Sequence, residues 1–236
     1  MRLSASDLLR RDAVTSPSAV PDALSLPLGR VVATEKKPNT PHEFHFWTAI
    51  DAPIGIGTIV RVEGNTPVEN VIPRVYGVVV EGFSYSDLQS PLHDVLGHDG
   101  RPHAGPLSHT DRTEIRLYTA SVLRHIPEEP LQPVPLGAVY LADDADVAVA
   151  LRMDGYITGE SSTGIPVGVY RAGGMRSPIF LDADFLVGPE AAHLNISGVS
   201  GLATKTSAIE WLLQSIFAHF PAHRGTVAAV CFNVKG

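Results

Sequence analysis

His193-Leu194-Asn195-Ile196-Ser197-Gly198-Val199-Ser200-Gly201-Leu202-Ala203-Thr204-Lys205-Thr206-Ser207 is the stretch on which the reading of this chain turns. The apolar run ending at Ile196 predicts a short strand over residues 193–196. A glycine-containing loop then runs from Ser197 to Lys205. Ile209, Leu212, Leu213, Ile216, Phe217 and Phe220 recur at helical spacing, which predicts an amphipathic helix over residues 206–220. Pro221 stops it. Residues 226–234 are nearly continuously apolar, the pattern of a buried parallel strand. Strand, loop, helix and strand together make one βαβ unit.

The loop carries chemistry. A standard phosphate-binding loop reads G-x-x-x-x-G-K-[ST]. Its backbone N–H groups cradle phosphates, its lysine reaches the β- and γ-phosphates, and its Ser or Thr hydroxyl holds Mg²⁺. The following helix turns its positive end toward the same anion. Here the lysine is Lys205 and the hydroxyl is Thr206. Counted back from Lys205, the standard glycines fall at Val199 and Thr204, whereas the glycines present are Gly198 and Gly201. The loop is therefore altered in conformation, as if one residue were inserted. A second reading of the same residues is a glycine-rich turn with Lys205 solvated and Thr206 capping the helix.

Upstream, the pattern is different. Short runs at residues 30–34, 43–50, 58–63, 75–81, 114–123, 137–141 and 147–151 read as strands, separated by Gly, Pro, Asn and Asp. Phe44, Phe46 and Thr48 alternate with His45 and Trp47, which sets His45 on the exposed face. Strands this short and this numerous predict a small closed barrel or sandwich. Residues 84–112 interrupt them as an insertion loop. The glycine-rich stretch 152–175, with Ser161-Ser162-Thr163, reads as an inter-domain connection, and residues 178–181 as a short strand. Residues 1–27 read as a tether.

Composition narrows the class. The 236 residues are 44% hydrophobic and 18% charged, a globular balance. A net charge of -7 gives no whole-chain nucleic-acid footprint, though a local basic region is compatible with it. Cys231 is the one cysteine, so no internal disulfide forms, and a reducing, cytoplasmic setting fits. The opening residues lack an apolar signal core, and no stretch reaches the roughly 20 apolar residues of a membrane helix.

Taken in order, these segments resemble the HerA-type DNA translocase ATPases, relatives of the FtsK motors. Residues 28–152 are similar to that family's HAS-type β-barrel. Residues 165–170, Ile-Pro-Val-Gly-Val-Tyr, resemble the lead from barrel to motor, and Ser177-Pro178-Ile179-Phe180-Leu181-Asp182 resembles the stretch before the nucleotide strand. Residues 153–236 then hold a linker and the start of an α/β RecA-like P-loop domain, truncated after its second strand. The resemblance implies ATP and Mg²⁺ as cofactors, a hexameric homo-oligomer, DNA in the ring, a nuclease partner for the full-length protein, and no membrane. It assigns Gly198, Ser200, Gly201, Thr204, Lys205 and Thr206 to nucleotide binding, Lys205 to catalysis and Thr206 to the metal. Hydrolysis also needs a Walker B acid and an arginine finger. Asn233 stands where the acid would sit, so the expectation is an ATP-binding N-terminal part without turnover of its own. The alternative is a non-catalytic barrel module for assembly, with a degenerate loop.

Other constellations read as structural. His93, Asp94, His98, Asp99, His103, His109 and Asp111 lack the paired spacing of a helical metal site and are taken as a polar loop. Lys36, Lys37, Arg61 and Arg74 suit solvated turns as well as they suit a contact with DNA or a partner subunit. Cys231 is expected to be buried.

Overall fold

The computed structural model describes residues 26–64, 72–86, 114–188, 194–198 and 204–232, with Ser90, Leu92 and Val95. Six strands form a closed antiparallel barrel: β1 (Gly29–Val32), β2 (Glu43–Thr48), β3 (Ile59–Glu63), β4 (Arg74–Tyr85), β5 (Ile115–Ile126) and β6 (Ala138–Leu141). Their order around the wall is β1-β2-β5-β4-β3-β6, and β6 pairs back to β1.

Alternation explains the wall. Phe44, Phe46, Val60, Val62, Val75, Val79, Tyr118 and Val139 all point inward and are almost fully buried. Phe46 lies 5.5 Å from Tyr118 and 5.8 Å from Phe44, ring centre to ring centre, so aromatic contacts fill the lumen. Two glycines allow the chain to close. A Cβ on Gly29 would lie 2.0 Å from the Trp47 carbonyl oxygen, and one on Gly137 would lie 2.2 Å from that of Glu63.

Outside the barrel sits a small α/β layer. Helix α1 (Asp144–Ala150) leads to the hairpin of β7 (Gly164–Ala172) and β8 (Met175–Asp182), then to the short α2 (Ala183–Val187) and to α3 (Thr204–His219). Ile59, Tyr76, Val147, Met153 and Phe180 form the core between barrel, α1 and hairpin. Tyr170 of β7 fastens the hairpin down: its hydroxyl accepts from the Ile59 N–H at 2.6 Å and donates to the Gly57 carbonyl at 3.0 Å.

Several expectations change. The run 147–151 is not extended: residues 147–150 are helical and Leu151 is the C-cap. Asp143 caps α1 by accepting from the Asp146 N–H, and the Asp146 side chain returns a bond to the Asp143 N–H, a closed capping box. The stretch taken as a linker contains β7, bulged between Pro166 and Gly168 where glycine and proline interrupt a regular ladder. His45 faces outward as alternation requires, yet it is buried, because the β1–β2 connection packs over it. Its Nδ1 lies 3.1 Å from Thr119 Oγ1. The insertion falls between β4 and β5; nearly all of it, with its His and Asp residues, lies outside the described residues, as does the tether through residue 25.

Candidate functional site

Helix α3 is described from Thr204 to His219, so Lys205 and Thr206 lie in its first described turn. The Lys205 ammonium donates to the Gly198 carbonyl at 3.0 Å, folding the lysine back across the preceding segment. A Cβ on Gly198 would lie 3.1 Å from Lys205 Cγ and 3.4 Å from Thr204 Oγ1, so a side chain there would crowd the lysine stem. Thr206 is exposed. Ser200 and Gly201 lie outside the described residues. The described residues thus place an ammonium and an exposed threonine side by side in sequence on α3.

The framework around this loop differs from the expected βαβ unit. Residues 194–198 have no regular structure, and residues 226–232 form no strand. Val230 is 80% exposed and Phe232 90%. A parallel strand exists only inside a sheet with both faces covered, and among the described residues no strand lies beside either segment. Cys231 in this run is exposed, contrary to expectation. Helix α3 is held instead on β7 and α2. Ile216 packs with Ile165 and Ala183, and the Ser215 hydroxyl donates to the Pro166 carbonyl. Ile209 and Phe217 of its predicted apolar stripe stay about half exposed.

A second polar centre was not foreseen. Arg61 of β3 donates from Nη1 to Asp146 Oδ2 at 2.6 Å, and the Tyr76 hydroxyl donates to Asp146 Oδ1 at 3.1 Å. Arg61 also lies over the Tyr140 ring at 5.0 Å, and its Nε is 3.3 Å from Glu63 Oε1. Burial pushes the Asp146 carboxyl above its ordinary value, although the Arg61 charge opposes the shift. Burial also raises the Tyr76 hydroxyl, with the Asp146 charge adding to it. Arg61 is therefore a structural ion-pair partner and not a solvated turn residue. The signal for this centre was Asp143 and Asp146, spaced as N-cap and N3 ahead of Val147.

Five prolines (Pro73, Pro127, Pro130, Pro133 and Pro135) line a cavity of about 320 Å³ with Arg74 and His125. It lies on the barrel, with neither Lys205 nor Thr206 in its wall. Among the described residues, no group of three or more His, Cys, Asp or Glu side chains is placed to hold a metal, and no helix is long and apolar enough to cross a membrane. No protein-family model matches the chain, and no curated protein matches it.

Proposed function

We propose that this chain is the barrel and nucleotide-loop part of a ring-forming, ATP-driven DNA translocase of the HerA type. One observation carries the reading: a closed six-stranded barrel is followed by a helix that carries Thr204-Lys205-Thr206 in its first described turn, with Lys205 drawn back over Gly198. ATP would supply the phosphates that take the place of the Gly198 carbonyl at the lysine. Lys205 would neutralise their charge, Thr206 would ligate Mg²⁺, and the α3 N-terminus would add its N–H groups. The barrel would serve assembly of a homo-oligomeric ring, and the DNA and nuclease contacts belong to that assembly.

A second reading has its own support. The irregular backbone at 194–198 and 226–232 suits a barrel module for interaction, whose loop no longer binds nucleotide. The two separate in one titration. A fluorescent ATP analogue with Mg²⁺ is expected to bind the wild type and to lose affinity at least about tenfold with Lys205→Ala, because a charged contact to phosphate is worth about 1.5–3 kcal/mol. No binding by folded wild type, or equal binding by both, refutes the nucleotide reading and leaves the interaction module.

A further inference from the structure

The outer wall of the barrel carries a stripe that the inward core does not explain. The register sets Arg30, Trp47, Leu117 and Phe83 directly opposite one another on β1, β2, β5 and β4. Four adjacent strands span about 14 Å. One rung further along the β4–β5 ribbon, Tyr85 faces Ile115. These residues alternate with the lumen-facing ones, so they lie on the outside.

The aromatic rings are distributed sharply. Phe44, Phe46, Tyr76 and Tyr118 are buried, whereas Trp47 and Tyr85 are each 46% exposed and Phe83 is 36% exposed. The three rings that the described part of the barrel leaves more than a third exposed therefore share this one wall. Phe83 and Tyr85 stand 6.1 Å apart with planes 34° from parallel. The opposite face of the ribbon is polar: Ser84 and Arg116 both bond the Glu114 carboxylate.

Cations border the rings. Arg30 ends the stripe on β1. Thr34 and Lys37 exchange backbone hydrogen bonds to close the turn after β1, which presents Lys36 and Lys37. The Lys37 ammonium stands 5.3 Å from the Phe83 ring centre. Glu81 borders the stripe on its His45 side. Glu35 stands in the same turn, so Arg30, Lys36 and Lys37 against Glu35 and Glu81 leave this edge with a net charge of +1 in a chain of net charge -7, a local reversal of sign.

We propose that this wall binds single-stranded nucleic acid, with bases stacked on Trp47, Phe83 and Tyr85 and phosphates met by Arg30, Lys36 and Lys37. Open aromatic faces set among cations are the requirement for sequence-tolerant binding of single strands. Lys37 occupies the Phe83 face in the free protein. A phosphate draws its ammonium aside and a base takes the ring, since stacking outweighs an exposed cation–π contact. Leu117, half-buried between Trp47 and Phe83, forms the apolar floor.

The proposal does not rest on the nucleotide-loop reading, and its test keeps the two apart. Fluorescence anisotropy of a labelled oligothymidylate of about 15 nucleotides is measured across a salt series, without ATP. Wild type and Lys205→Ala are expected to bind alike. The triple variant W47L/F83L/Y85L keeps apolar bulk and loses the stacking faces, and is expected to weaken binding at least about tenfold. The variant K36Q/K37Q keeps the rings and is expected to reduce the slope of log affinity against log salt by about 1.4, from about 0.7 per phosphate contact. Circular dichroism checks that each variant is folded, and K36Q/K37Q alone tests the charged half should the triple variant not fold. Absence of binding by wild type overturns the proposal. So does unchanged affinity in the leucine variant. A change in sedimentation of that variant without a change in oligonucleotide affinity overturns it too, and marks the wall as a protein interface.

Discussion

The contact between Arg61 and Asp146 ties α1 to the barrel across 85 residues of sequence, and the structure predicts an asymmetric response when it is cut. Arg61→Met leaves Asp146 buried. Its Tyr76 and Asp143 donors remain at 3.1 and 3.3 Å, but it has lost the 2.6 Å guanidinium contact. Removing one partner of a buried pair costs about 3–5 kcal/mol. Asp146→Asn leaves Arg61 with Glu63 Oε1 at 3.3 Å and with the Tyr140 ring, so the charge stays partly compensated and the loss is about 1–3 kcal/mol. At about 2–4 °C per kcal/mol for a chain of this size, Arg61→Met lowers the melting temperature by about 6–20 °C. The pH dependence follows from the same centre. Burial holds the Asp146 carboxyl above its ordinary value, so the native state binds that proton more tightly than the unfolded chain. The associated stability is full below the unfolded value and is lost as pH rises through the folded one. The Arg61→Met penalty is therefore greatest near neutrality and shrinks as pH falls and Asp146 takes up its proton. Urea unfolding of wild type and both variants, followed by circular dichroism between pH 4 and 7, measures it. Equal penalties for the two variants, or an Arg61→Met penalty independent of pH, refute this account.

Further outcomes follow from other contacts. Gly29→Ala places a methyl against the Trp47 carbonyl, so the barrel seam must part; a fall of at least about 2 kcal/mol in urea stability is expected, and an unchanged midpoint refutes it. Tyr170→Phe leaves the Ile59 N–H and Gly57 carbonyl without their shared hydroxyl, with an expected loss of about 1–3 kcal/mol in the same assay. Burial raises Tyr76, Tyr156 and Tyr170 alike, so the stability they confer is complete below the unfolded tyrosine value of 10.0 and declines as pH rises past it; unfolding midpoints taken on either side of that value check the sign. Cys231 is exposed and is expected to react with one equivalent of a thiol reagent in native protein, at a rate close to that in denaturant.

The barrel was legible in sequence because its information is local. Phe44 and Phe46 alternate with their neighbours, Ile59 and Val60 precede Val62, and each strand announces its inward face with period two. Helix α1 was misread for a related reason. Five apolar residues from Val147 to Leu151 fit either period, and only the aspartates before them favour a helix. Strand β7 was hidden by Pro166 and Gly168, which mark a bulge as readily as a linker. The remaining misreadings share a different cause. His45 is buried by a turn that folds over it, Arg61 by an aspartate on a distant helix, and neither partner can be inferred from the residues beside it.

The same division runs through the candidate sites. The Lys205 motif can be read in sequence because it is contiguous: lysine and threonine follow one another at the head of a helical pattern. What surrounds the loop depends on pairing between distant segments, and there the expected strands at 193–196 and 226–234 do not form among the described residues. The outer stripe is the reverse case. Arg30, Trp47, Phe83 and Tyr85 share no motif and span more than 50 residues, so only the barrel register assembles them. In sequence, Trp47 is a polar-face residue of one strand and Phe83 the end of another. Closure of the wall places both on one surface, because strand order β1-β2-β5-β4 brings the second and fourth strands to either side of the fifth. A surface made in this way is set by the fold as a whole, so Gly29→Ala, by parting the seam beside Trp47, is expected to weaken oligonucleotide binding along with stability, while Lys205→Ala leaves both unchanged.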